Sequence, residues 1–335
     1  MNTNQNILTD TFGRAHQYLR ISLTERCNLR CTYCMPAEGI PLSPKSHLMT
    51  AEEIYEIAKT FVDHGVTKIR LTGGEPLVRK DAPVILEKLA TLPAELAITT
   101  NAIIVDKYVS IFKTCGIKNI NVSLDSLDRE KFKQITRRDY FEKVYANILL
   151  LVAEGFKVKV NVVLIKNFND DEIIDFINLT KELPVVVRFI EFMPFDGNQW
   201  NLKKMVSLDE IMNTVFKTFP ALDVARLEDA SNDTSKNYGI KNYKGSFAII
   251  SSVTNPFCDS CNRLRLTANG QIKNCLFSSS ESDVLSALRS GKDITTVIQK
   301  AVQAKLKVRS GMNTLEKLKN PELHSKNRSM IAIGG

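Results

Sequence analysis

Residues 50–76, TAEEIYEIAKTFVDHGVTKIRLTGGEP, decide the fold. Ile54, Ile57, Ala58, Phe61 and Val62 recur at the spacing that gathers apolar side chains on one helix face. Thr50 and Glu53 stand three apart, as in a capping box, and Gly65 sits where a helix stops in a left-handed residue. A strand candidate, 67–72, follows at once, with Ile69 and Leu71 alternating with Arg70 and Thr72. The same helix-to-strand rhythm continues on both sides. Further strand candidates are 19–24, 95–101, 118–124, 157–165 and 185–193, with helical stretches between them. Asn169, Glu172 and the run Ile173, Ile174 and Ile177 repeat the capped-helix pattern before the sixth strand. Six strands alternating with helices imply an α/β protein with a parallel sheet. We expect it to curl into a partial (βα)6, TIM-like barrel rather than to stay open and doubly wound.

Strands of a parallel sheet are usually buried on both faces and apolar throughout. Several here alternate instead. Lys157, Lys159 and Asn161 oppose Val158, Val160 and Val162; Asn119, Asn121 and Ser123 oppose Ile120, Val122 and Leu124. Arg20, Ser22 and Thr24 oppose Leu19, Ile21 and Leu23. With helices over the apolar face, the polar residues line a ligand-holding lumen. Arg188 and Ile190 on the sixth strand break the pattern. Beyond Met193 the rhythm ends, which divides the chain into a barrel region, 1–195, and a C-terminal region, 196–335. The second region offers a helix near 208–218, a polar loop region at 229–241, a strand candidate at 246–253 and a tail ending Ile333-Gly334-Gly335.

Composition narrows the class. The 335 residues are 44% hydrophobic and 24% charged, as in an ordinary globular protein rather than a disordered one. The longest apolar run, 148–153, is far below the roughly 18 residues of a membrane span. Residues 1–15 lack the pattern of a signal peptide, so a cytoplasmic, reducing location is expected. A net charge of +8 suits an anionic ligand without demanding nucleic acid, and no stripe of basic and aromatic residues accompanies the single Trp. Four scattered His exclude a histidine-rich metal site.

Six of the seven Cys lie in two tight groups. In a reducing compartment such grouping means metal or redox chemistry rather than a disulfide framework. Cys27, Cys31 and Cys34 follow the first strand at its C-terminal end, where (βα) barrels collect their active sites. Three thiolates leave one position of a metal centre open. Zinc in a structural site closes with four ligands, and Asn28, Arg30, Tyr33 and Met35 offer no fourth. A 4Fe–4S cluster with one open iron suits the spacing better. Cys258, Cys261 and Cys275 form the second group; Cys115 stands alone as a packing residue. Thr72-Gly73-Gly74-Glu75-Pro76 after the second strand would let a ligand approach the backbone closely.

The first cysteine loop, with Tyr33 just before its last Cys, and the Gly73-Gly74-Glu75-Pro76 turn together resemble the radical S-adenosylmethionine (SAM) superfamily. The second group, with Asn262-Arg263-Leu264-Arg265-Leu266 and the Gly334-Gly335 pair, is similar to the GTP 3′,8-cyclases of molybdenum-cofactor biosynthesis, over residues 20–335. The resemblance implies that Cys27, Cys31 and Cys34 hold a first 4Fe–4S cluster and Cys258, Cys261 and Cys275 a second. It implies that Tyr33, Gly74, Ser123 and Met193 contact SAM. Arg20, Arg70, Thr99, Lys159, Arg263 and Arg265 would contact GTP, and the glycine pair would reach into the active site. It also implies an electron donor, a homodimer, and transfer of the product to the step that makes cyclic pyranopterin monophosphate, without membrane or nucleic acid. Where the family usually has Gly, this chain has Ala102, which puts a left-handed turn there in doubt. Two rivals stay open: another radical SAM enzyme with an auxiliary cluster, and a zinc-stabilised nucleic-acid-binding protein.

Overall fold

The structure is a computed structural model that describes residues 6–36, 38–324 and 327–334. Helix α1 (Ala51–Asp63) begins on the expected capping box: Thr50 Oγ1 accepts the Glu53 N–H at 3.2 Å, and the Thr50 N–H donates to Glu53 Oε2 at 2.8 Å. Gly65 closes it with φ +109°. Ile54, Ile57 and Phe61 are fully buried, each burial contributing roughly 1.5–3 kcal/mol. Packing of that face, more than helix propensity, fixes α1 against the sheet.

Strands β1 (Tyr18–Ser22), β2 (Lys68–Thr72), β3 (Glu95–Thr100), β4 (Asn119–Ser123), β5 (Lys157–Leu164) and β6 (Val186–Glu191) pair in parallel in chain order. Helices α2 (Ala82–Ala90), α3 (Val109–Thr114), α4 (Arg129–Thr136), α5 (Phe141–Ala153) and α6 (Ile173–Glu182) alternate with them, as the periodicity predicts. Past helix α7 (Leu208–Thr218), strands β7 (Val224–Arg226), β8 (Lys236–Ile240), β9 (Ser246–Ile250), β10 (Arg263–Leu266), β11 (Gln271–Lys273) and β12 (Ser282–Asp283) join the same sheet. Helices α8 (Val284–Arg289) and α9 (Ile294–Gln303) follow.

One feature of this sheet departs from the expected six strands. β10 pairs in parallel with β1, and β9 in parallel with β6, so the parallel run has eight strands. Neither added strand is preceded by a barrel helix, which is why the alternation did not reveal them. The outermost pairs, β11–β12 and β7–β8, are antiparallel extensions.

The polar lumen is present. Leu19, Ile21, Ile69, Leu71, Ile120, Val122, Val158 and Val160 are buried in the apolar core. On the other face the register sets Arg265, Arg20 and Arg70 in one row across β10, β1 and β2. Thr99, Asn121 and Lys159 form a second row, and Ser123, Asn161 and Arg188 a third. Ala102 adopts the left-handed turn after all, with φ +61°. Asn147 Nδ2 donates to its carbonyl at 2.6 Å, and its N–H donates to Thr100 Oγ1 at 3.0 Å. Those bonds offset a strain of about 1–2 kcal/mol for a residue with a Cβ. Asn169 and Glu172 act differently from a helix cap. Asn169 Nδ2 donates to Asp125 O at 2.6 Å, and Glu172 accepts from Ser126 Oγ at 2.8 Å and from the Leu127 N–H at 2.6 Å, stitching β5 to the loop after β4. Cys115 is buried in the core, as expected.

Candidate active site

The first cysteine loop leaves β1 and is tied to the end of α4: the Arg30 and Thr32 N–H groups donate to Thr136 O and Ile135 O at 3.0 and 2.9 Å. Arg137, left-handed at φ +55°, donates from Nη1 to Arg30 O at 2.9 Å. The Gly73-Gly74 turn lies directly on this loop. The Gly74 N–H donates to Thr24 O at 2.7 Å, and a Cβ on Gly74 would stand 2.4 Å from Arg26 O. Only glycine permits that approach. Glu75 turns inward, accepting the Asn101 N–H at 2.6 Å and Thr100 Oγ1 at 2.8 Å; burial pushes its carboxyl up to about 7.

Cys27, Cys31, Cys34, Tyr33, Gly74 and Ser123 line one cavity with about 970 Å³ of empty space. Tyr33 Oη donates to Asp125 Oδ2 at 2.8 Å, while Asp125 Oδ1 accepts the Val163 N–H at 2.8 Å. Burial raises Asp125 to about 6 and Cys27 to about 11. Cys31 and Cys34 are also pushed up, by burial first and then by neighbouring thiols and Asp125.

A second cavity, with about 1030 Å³ of empty space, holds Cys258, Cys261 and Cys275 together with Arg20, Arg263 and Arg265. Arg188 and Thr99 line it too. Burial, then the charges of Arg70 and Arg20 respectively, lower Arg188 and Arg265 to about 9. Arg20 Nε and Arg263 Nε are buried with no hydrogen-bond partner among the described residues. Cations crowded this way favour a polyanion, because an opposite charge relieves both their desolvation and their mutual repulsion. Tyr18 belongs to the group: burial alone would raise its hydroxyl, but Arg20, Arg70 and Lys68 outweigh burial and hold it near 7. Arg70 Nε donates to Tyr18 Oη.

Most of the residues predicted for this chemistry line one cavity or the other, and three stand apart from the places predicted for them. Met193, expected on SAM, lines the second cavity. Arg70 and Lys159, expected on GTP, are on the lumen face but line neither cavity; Arg70 is held by Tyr18 and by Ile98 O at 3.1 Å. Gly334 does reach the barrel. Its carbonyl accepts from Arg265 Nη1, its φ is +81°, and a Cβ there would stand 2.4 Å from Thr72 Oγ1. Gly335 lies outside the described residues. Sequence reasoning missed Asp125, Arg188 and Met330, and Met330 lines both cavities, as does Asn161, which the alternation of β5 had placed in the lumen. Asp125 could have been found from its place just beyond the polar-alternating strand β4.

Three thiols on one loop, beside a glycine turn and under a carboxylate-anchored Tyr, fit an iron–sulfur centre with an open position. Fold and site together define a radical SAM enzyme: the Radical SAM superfamily matches residues 21–180, and the Molybdenum Cofactor Synthesis C family matches residues 185–311. The fold is similar to that of Streptococcus suis SuiB bound to S-adenosylmethionine, with TM-score 0.61 and 18% identity over 84% of this chain and 65% of that one. The chain is 48% identical to the mitochondrial GTP 3′,8-cyclase of Arabidopsis thaliana, covering 98% of this chain and 84% of the relative. It is 42% identical to the GTP 3′,8-cyclase of Peptoclostridium acidaminophilum, covering 90% and 93%. The chain belongs to the GTP 3′,8-cyclase family. Against molybdenum cofactor biosynthesis protein 1 of Drosophila melanogaster it is 48% identical over 90% of its own length, but spans only 54% of that relative. Membership brings SAM and a 4Fe–4S cluster, and it removes the zinc-stabilised nucleic-acid-binding alternative. Among the described residues, no helix is long and apolar enough to cross a membrane.

Proposed function

We propose that this protein converts GTP to 3′,8-cyclo-7,8-dihydro-GTP in the first step of molybdenum-cofactor biosynthesis. The observation that carries the reading is one lumen with a cysteine trio at each of two cavities and buried arginines crowded on its wall. Cys27, Cys31 and Cys34 would hold the first 4Fe–4S cluster, and Cys258, Cys261 and Cys275 a second with its own open position. The first, when bound, supplies the electron that splits SAM into methionine and a 5′-deoxyadenosyl radical. Tyr33, Gly74 and Ser123 orient SAM toward the lumen, with Met193 on the GTP side of it. Arg20, Arg263 and Arg265 grip the triphosphate directly, as guanidinium groups bind phosphate oxygens in pairs. Arg70 and Lys159 add charge from beside them, and Thr99 stands on the lumen wall between the two substrates. Held there, the ribose gives up its 3′ hydrogen and carbon 3′ closes onto guanine carbon 8; an electron and a proton complete the ring.

The same reading keeps the functional boundary at residues 195 and 196, with SAM handled before it and the second trio after it. It includes a low-potential electron donor, a homodimer, delivery of product to the step forming cyclic pyranopterin monophosphate, and a reducing compartment such as the cytoplasm; the Arabidopsis relative is named as mitochondrial. Anaerobic incubation with reductant, SAM and GTP deuterated at carbon 3′ tests it. We expect a nucleotide of altered retention and deuterium in the 5′-deoxyadenosine. Unaltered GTP beside unlabelled 5′-deoxyadenosine would overturn the reading.

A further inference from the structure

Two buried cations that the substrate reading does not use flank the second trio. Lys305 follows α9 and is only 3% exposed. Its Nζ donates to Cys261 Sγ at 3.6 Å and to Arg263 O at 2.9 Å. Arg309, four residues on, is 5% exposed. Its Nη1 donates to Val253 O at 2.8 Å. Its Nε is buried with no hydrogen-bond partner among the described residues, and the side chain lines the cavity that holds the trio. Arg309, Ser310 and Gly311 are left-handed in succession, at φ +41°, +53° and +92°. A run of that kind persists only where its surroundings hold it, and it marks sites where geometry is under demand.

Among the described residues, no lysine or arginine donates to a thiol of the first trio. Cys27 Sγ accepts from the Leu29 N–H at 3.4 Å and from Asn101 Nδ2 at 3.8 Å, both neutral. The Arg30 guanidinium there is bonded to the Cys27 and Leu29 carbonyls, and the carboxylate of Asp125 faces the site through Tyr33.

A centre held by three thiolates is anionic, and one-electron reduction makes it more so. Positive charge and hydrogen bonds at the ligand sulfurs therefore favour the reduced form. We infer that Lys305 and Arg309 are positioning residues of the second trio that raise the reduction potential of the iron–sulfur group held by Cys258, Cys261 and Cys275. The inference rests on the two-cluster reading above.

The full chain carrying Cys27→Ala, Cys31→Ala and Cys34→Ala isolates the second site. After anaerobic reconstitution it should hold about four irons; an iron-free protein would overturn the two-cluster reading and this inference with it. Its midpoint is then read by dithionite titration followed by electron paramagnetic resonance. In that background Lys305→Gln and Arg309→Gln should each move the midpoint to more negative potential, while Lys305→Arg should stay near the parent. Unchanged midpoints in both glutamine variants, with iron retained, overturn the inference and leave the two-cluster reading standing. Loss of iron in Lys305→Gln alone supports a requirement for charge. Loss in both Lys305→Gln and Lys305→Arg assigns Lys305 to packing and overturns it.

Discussion

Cys31 and Cys34 sit under the carboxylate of Asp125, whereas Cys261 meets the ammonium of Lys305 at 3.6 Å. Burial raises five of the six clustered thiols; Cys261 alone is lowered, because Lys305 and Arg263 outweigh its desolvation. The donor atoms of the two trios are the same. What separates them is the strands each site adjoins: the first lies against the carboxyl ends of β2 to β5, with Gly74, Ser123 and Asp125, and the second opens onto Arg263 and Arg265 of β10, Arg20 of β1 and Arg188 of β6. One lumen thus offers a site suited to the zwitterionic amino-acid end of SAM and a site suited to a polyanion.

The comparison breaks most decisively at the cysteines. Replacing Cys27, Cys31 and Cys34 by Ala should halve the iron from about eight to about four per chain and abolish 5′-deoxyadenosine formation. Continued formation of 5′-deoxyadenosine in that variant would mean the trios have been assigned in the wrong order. A smaller effect separates substrate binding from radical generation. Arg263→Ala and Arg265→Ala each remove charge-assisted bonds worth about 1.5–3 kcal/mol, so GTP should bind roughly ten- to a hundredfold more weakly. Iron content and SAM cleavage should persist. Because Arg265 also holds Gly334 O, its variant should yield less cyclised nucleotide per 5′-deoxyadenosine than Arg263→Ala does; GTP affinity equal to the parent in both would remove the phosphate site.

The smallest effect concerns His16, which packs near Lys305. Burial, then Lys305, depress its imidazole from 6.5 to about 3. The unfolded chain therefore takes up a proton between these values and the folded one does not. The stability His16 confers is complete above about pH 6.5 and falls as pH drops toward 3. Denaturant unfolding at pH 7 and pH 5 should show a shallower loss in His16→Gln than in the parent. Equal slopes would show that the imidazole is not kept neutral. Glu75 and Asp125, raised to about 7 and about 6, lean the other way but are common to both proteins.

The six barrel strands could be read because each couples a period of two to a helix with a period near 3.6, and both signals are local. β9 could be read as a strand at 246–253, but its place beside β6, and β10 beside β1, could not, since closure at the sheet edges pairs segments distant in sequence. Residue-level placement failed for the same reason. Lys305 stands in AKLKVRSG, which reads as a solvated stretch, and only the fold brings it to Cys261. Arg188 looked out of phase on β6, yet the register with Asn161 turns it inward. Ala102 shows the opposite error. Its side chain argued against a left-handed turn, and hydrogen bonds from Asn147 and to Thr100 secure one regardless.

Met330 lines both cavities, Ile331 packs over Gly74, and Gly334 rests on Thr72 beneath Arg265. Part of the wall shared by the two cavities is thus made by residues far from Cys27 in the chain, beside Thr99, Asn161 and Ile190. Because these C-terminal residues stand some three hundred positions after Cys27, the partition between the two cavities cannot be complete until they have been synthesised.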